Sequence, residues 1–153
     1  MTLQPPDIPG FLFVDHVAIA VNLAELEAQV AAYRALGFAE VHREDVLGTD
    51  QVREVLLQVG PGPNLVQLLA PLSGESPVAR QIEKNHGRGG LAHLALRVSN
   101  IQAAFDYLRA HGFRIIDDAP RPGSRGTTVF FLHPKTTGTV AFGYLIEVVQ
   151  EGR

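Results

Sequence analysis

A strand-like stretch carrying a histidine among small residues occurs twice in this chain, about half its length apart. The first copy is Val14-Asp15-His16-Val17-Ala18-Ile19-Ala20-Val21, and the second is Leu91-Ala92-His93-Leu94-Ala95-Leu96-Arg97-Val98. Period-two alternation puts Val17, Ile19 and Val21 on one face and His16, Ala18 and Ala20 on the other. The first face reads as core; the second sets an imidazole among methyl-sized neighbours, as a strand lining a small cavity would. Leu94, Leu96 and Val98 repeat the apolar face in the second copy. A duplication of this kind restricts the chain to two similar modules.

The stretches that follow support the duplication. Asn22 with Glu25 resembles a capping box, Leu26, Val30 and Tyr33 recur at helical spacing, and Gly37 stands where a C-terminal cap belongs. Strands are expected at 38–44, 51–59 and 64–70. Ser76-Pro77 opens a short helix that ends in a glycine-rich linker near 85–90. In the second half Ser99 and Gln102 fit a capping box, and Ile101, Phe105 and Leu108 form the helix stripe. Strands are expected at 114–117, 127–133 and 143–149, with 120–126 as a loop. Leu108-Arg109-Ala110-His111-Gly112-Phe113 echoes Tyr33-Arg34-Ala35-Leu36-Gly37-Phe38, and Leu145-Ile146-Glu147-Val148-Val149 echoes Leu65-Val66-Gln67-Leu68-Leu69. The fold class is therefore α+β, two tandem β-α-β-β-β modules at 11–72 and 91–150, joined by a linker with a short helix at 73–90.

Composition removes several classes of function. The 153 residues suit one domain or two fused modules with a substantial core. A net charge of −3 gives no electrostatic case for nucleic acid or an anionic membrane. No apolar run reaches the roughly 18 residues of a membrane span. Residues 1–10 hold three prolines and no basic stretch, so they read as an extended arm and not an export signal. With no cysteine, disulfides, thiolate metal sites and cysteine nucleophiles are excluded, which is compatible with the cytoplasm.

Each module thus has a histidine in its first strand and an oxygen-bearing side chain in its last: His16 with Gln67, and His93 with Glu147. Gln67 and Glu147 interrupt apolar runs, where a bare core would make them costly. Two imidazoles, an amide oxygen and a carboxylate make a mixed set for a six-coordinate divalent ion such as cobalt, manganese, nickel or zinc. A strand histidine can equally be a satisfied structural residue, and Glu147 the partner of an arginine. Glu54 shares a face with Val52 and Leu56. It reads either as a general base of raised proton affinity or as a solvated edge-strand glutamate. Arg121, Arg125 and Lys135, with His133 beside them, are candidates for phosphates or a carboxylate, against the alternative of solvated loop charges. His86 and Arg88 read as surface.

These residues resemble the vicinal oxygen chelate superfamily and, within it, the methylmalonyl-CoA epimerases. The resemblance rests on 15–20, Val52-Arg53-Glu54, 66–71, 90–95, Arg121-Pro122-Gly123-Ser124, Phe131-Leu132-His133-Pro134-Lys135 and Leu145-Ile146-Glu147. It implies a curved, incomplete β-barrel with helices outside. It implies His16, Gln67, His93 and Glu147 as ligands of a cobalt-like divalent ion, and Glu54 as a catalytic base. The substrate it implies is a 2-substituted malonyl-CoA thioester, epimerised at C2 through a metal-stabilised enolate. Glu147 is then the candidate for proton transfer on the opposite face, and Arg121, Arg125, His133 and Lys135 are the candidate substrate contacts. A cytoplasmic homodimer is also implied. Two departures stand out: Ala92 replaces the first of two histidines often found there, and residues 139–144 lengthen the path to the last strand. Competing expectations are a glyoxalase-type isomerase, an extradiol-type dioxygenase, or a metal-free binding protein of the same fold.

Overall fold

A computed structural model describes residues 8–135 and 141–152. They contain eight strands and three helices, an α+β chain. The chain divides into two compact units, one of residues 16–93 and one of the residues up to 15 together with those from 94 onward.

In the first unit the strands are β1 (Phe11–Ala20, entering the unit at His16), β2 (Ala39–Val46), β3 (Val52–Gln58) and β4 (Leu65–Pro71). Their order is β2-β3-β4-β1, with β1 and β4 parallel and the other pairs antiparallel. Helix α1 (Leu26–Ala35) lays Leu26 and Val30 against Val21, Val55, Leu57, Leu68 and Ala70, all essentially buried. Each such side chain removes apolar area worth about 1.5–3 kcal/mol. Gly37 follows the helix with φ of 103°, a left-handed conformation open to glycine at no steric cost.

Helix α2 (Pro77–Lys84) covers part of the opposite face, its Ile82 packing on Ala18, Ala20, Val52 and Leu69. Ala18 and Ala20, the methyl-sized residues that follow His16, are therefore packed against a helix at this end. Gly89 closes the unit by passing so near the Ala20 carbonyl that no Cβ fits.

The second unit contains β5 (Gly90–Val98, from Leu94 onward), α3 (Ile101–Ala110), β6 (Arg121–Pro122), β7 (Thr128–Leu132) and β8 (Leu145–Gln150), with strand order β5-β8-β7-β6. Helix α3 packs Ile101, Ala104, Phe105 and Leu108 on Val98, Phe130, Leu132, Ile146 and Val148. The Phe105 and Phe130 rings meet edge to face at 5.2 Å. A smaller cluster of Ala95, Val129 and Val149 lies on the other face of these strands.

Three local expectations are corrected. Asn22 caps nothing: its amide donates to the Gly87 carbonyl, and a single 3-10 turn, Leu23–Glu25, precedes α1. Asn100, and not Ser99, caps α3, accepting from the Ala103 amide, while the Ser99 amide is spent on the Gly10 carbonyl. Residues 114–117 form no strand beyond one bridge at Ile115, because the Asp117 carboxylate takes the Phe131 amide that a ladder would use. The short strand comes instead at Arg121–Pro122, inside the stretch expected to be a loop. The Ser76 cap with Pro77 following is as expected. The lengthened segment at 139–144 lies partly outside the described residues, as does most of the N-terminal arm. Among the described residues no helix is long and apolar enough to cross a membrane.

Candidate metal centre and base

Register fixes which side chains share a face. Gln67 stands beside Ala18 on β1 and opposite Leu56 on β3, and Glu54 stands between Leu69 and Glu44. Side chains in register point to the same side of a sheet. His16, Gln67, Glu54, His42 and Glu44 therefore project from one face, the one that α1 does not cover. Its polar centre sits beside the apolar patch under α2.

The two histidines of the duplicated strands meet. His16 Nε2 lies 3.1 Å from His93 Nε2, with both side chains buried and the rings edge to face at 5.2 Å. Metal–imidazole bonds run at about 2.0–2.1 Å, so two cis ligands on an octahedral ion stand about 3 Å apart. The nitrogen separation fits that edge, and it is shorter than the roughly 3.4 Å of a tetrahedral edge built on the same bonds.

Gln67 is polarised by its neighbour. Its Nε2 donates to Glu54 Oε2 at 2.8 Å, which turns Oε1 the other way. That oxygen is buried and accepts no hydrogen bond among the described residues. An orphaned amide oxygen costs about 1–3 kcal/mol unless something electropositive approaches it. Two ring nitrogens at ligand spacing and a buried oxygen awaiting a partner are a donor set that a divalent ion fits.

Glu54 is only 3% exposed, deep in β3 between Arg53 and Val55. Its Oε1 lies 3.6 Å from His42 Nε2, and the same nitrogen is 3.0 Å from Glu44 Oε1. These three groups form a compact cluster of their own. His42 and Glu44 carry no distinction in the sequence, where they read as the polar positions of an alternating edge strand. The signal was indirect: an imidazole and a carboxylate two apart in a strand next to the one bearing Glu54.

In the other unit Glu147 is 7% exposed on β8, in register with Phe131 of β7. It occupies the face away from α3, as Gln67 occupies the face away from α1. Of the remaining candidates, Arg121 is tied to Asp117 at 2.8 Å and stacks over the Phe131 ring. Arg125, at φ of 58°, has its guanidinium 3.8 Å from the buried Asp15, and its Nε finds no acceptor among the described residues. His133 Nδ1 accepts the Lys135 amide, and Lys135 itself is exposed.

The glyoxalase/bleomycin resistance protein/dioxygenase superfamily matches residues 15–131. An ethylmalonyl-CoA/methylmalonyl-CoA epimerase of Cereibacter sphaeroides is 37% identical over 139 residues, covering 90% of this chain and 96% of that one. The crystal structure of methylmalonyl-CoA epimerase from Mycobacterium tuberculosis superposes with a TM-score of 0.85 at 32% identity, over 98% of this chain and 95% of that one. A variant of the Streptomyces coelicolor methylmalonyl-CoA epimerase in complex with 2-nitronate-propionyl-CoA superposes with a TM-score of 0.81 at 33% identity, over 94% and 99% of the two chains. The fold class read from the duplicated strands is the fold of these structures. On sequence and fold, the chain belongs to the methylmalonyl-CoA epimerase family of that superfamily, and is an enzyme of the epimerase class.

Proposed function

We propose that the chain interconverts the C2 epimers of methylmalonyl-CoA, or of a closely related 2-substituted malonyl-CoA, by removing a proton from one face of C2 and returning one to the other. The observation that carries this reading is the Gln67–Glu54 pair. A buried carboxylate is held at a fixed orientation by the amide of a residue whose oxygen is left available for a ligand role. That pairing couples a base to the place where negative charge would be stabilised.

His16, His93, Gln67 and Glu147 are proposed as the holders of a divalent ion, cobalt first and manganese, nickel or zinc as alternatives. When bound, such an ion supplies Lewis-acid stabilisation for charge that builds on the thioester oxygen as the proton leaves. Glu54 takes the C2 proton: the C–H bond breaks, an O–H bond forms, and the electron pair moves toward the thioester. Burial keeps the carboxylate poorly hydrated, and the Gln67 amide fixes which oxygen is presented. A positioned base of this kind contributes about 10²–10⁴-fold.

Glu147, buried on β8, is proposed for the proton on the opposite face in addition to its ligand role. Arg125, His133 and Lys135 are proposed to meet the anionic groups of the substrate, and Arg121 to hold that loop through Asp117. The 2-nitronate-propionyl-CoA bound by the Streptomyces relative supports the reading by its chemistry, since a nitronate is planar and anionic as an enolate is. A cytoplasmic homodimer completes the proposal.

The test is proton exchange. In heavy water with a divalent metal present, methylmalonyl-CoA should lose its C2 proton signal in NMR, and the Glu54→Gln protein should lose that exchange while keeping its metal. Undiminished exchange in Glu54→Gln, or none with the native protein, would remove the reading.

A further inference from the structure

We propose that His42 is a proton relay that returns Glu54 to its working state by handing the abstracted proton to Glu44 and so to solvent. The inference rests on the epimerase reading and adds a residue to it. Each passage of a substrate through a two-base reaction leaves one base with a proton gained and the other with a proton lost. Before the next turnover in the same direction, that exchange must be undone. Glu54 is 3% exposed, so water does not reach it freely, and another group has to carry the proton out.

The geometry points to His42. Its Nε2 is within 3.6 Å of Glu54 Oε1 and 3.0 Å of Glu44 Oε1, so one nitrogen faces both carboxylates. Side-chain exposure rises in the same order, from 4% at Glu54 to 31% at His42 and 36% at Glu44. The three side chains stand on adjacent strands on one face: the hairpin register runs unbroken from Val46 opposite Val52 to His42 opposite Leu56, which sets Glu44 across from Glu54 and His42 beside it.

The transfer balances. With its proton on Nε2, neutral His42 donates to the Glu44 carboxylate at 3.0 Å. That N–H bond breaks as Glu44 takes the proton, and the O–H bond of protonated Glu54 breaks as its proton moves to the vacated Nε2. Glu44 then releases its proton to water. No redox partner is required.

The experiment compares the native metal-loaded protein with His42→Gln and His42→Ala, following epimerisation and C2 exchange in heavy water. Slow resetting after product departs lowers kcat but leaves kcat/KM alone. The expected result for both variants is a kcat about tenfold or more below native with kcat/KM within about threefold, and recovery of kcat in His42→Ala on adding imidazole. A purely structural histidine would lower both constants and would not respond to imidazole, which overturns the relay. So would an unchanged kcat, or the loss of a second metal equivalent in His42→Gln. Failure of the native protein to exchange the C2 proton would instead overturn the epimerase reading on which the relay stands.

Discussion

The amide of Gln67 and the carboxylate of Glu54 share a hydrogen bond of 2.8 Å across the β3–β4 pair. That contact joins the proposed base to a proposed metal ligand, so the two should not be separable by mutation. Gln67→Ala is expected to lower divalent-metal affinity about 10–100-fold and to lower kcat as well. Gln67→Glu should depress kcat further, by setting a second carboxylate against Glu54. Metal content by elemental analysis and steady-state kinetics check both.

Chelation should act on the His16–His93 pair. Those nitrogens approach within 3.1 Å in a buried face, close enough for one ion to bind both. Treatment with a chelator is expected to abolish activity, with recovery on adding cobalt. A metal at about 100 times its dissociation constant should add about 2.7 kcal/mol of stability, read as a rise in Tm. His16→Ala and His93→Ala should each lose that metal-dependent rise.

Acid stability should report on Arg43. Its guanidinium hydrogen-bonds Glu40 and Glu27 and holds both carboxyls below their ordinary value. A depressed carboxyl stabilises the fold above the unfolded-state pKa, and that stability is lost as pH falls through the folded value. Glu27 is 69% exposed, so Glu40 dominates and the whole cluster is worth about 0.5–1 kcal/mol. Arg43→Met should therefore cost this much at pH 7 and progressively less below about pH 4.5, as urea unfolding at a series of pH values would reveal.

Asp15, fully buried next to His16 in the chain, is bonded by Arg97 at 2.8 Å, and Arg97 also reaches Glu151 at 3.1 Å. Removing one partner of a buried ion pair leaves the other charge inadequately compensated. Arg97→Met is expected to cost about 1.5–3 kcal/mol in urea unfolding, less than for a wholly unpaired buried carboxylate because Arg125 stays 3.8 Å from Asp15. Asp15→Asn together with Arg97→Met should recover part of that loss.

Period and punctuation in the chain were enough to establish the architecture. His16 and His93 in matching strands, the stripes Leu26-Val30-Tyr33 and Ile101-Phe105-Leu108, and the Gln67 and Glu147 interruptions of apolar strands all express a repeat of 2 or 3.6 residues. A face can be assigned from such a repeat without knowing its neighbours. That Glu54 lies on the same face as Val52 was legible for the same reason, and so was its candidacy as a base.

Tertiary structure decided which faces were filled and which polar groups met. Asn22 and Ser99 each look like a cap, but competing backbone groups of Gly87 and Gly10, distant in sequence, claimed them. The space beside Ala18 and Ala20 went to Ile82, because α2 folds over that end of the face. His42 reached Glu54 through the β2–β3 pairing register, which sets Glu44 opposite Glu54 and His42 opposite Leu56, and alternation within β2 does not say which strand or which register it takes. Strand faces are written in local spacing, whereas register, helix cover and hydrogen-bond competition depend on partners far along the chain.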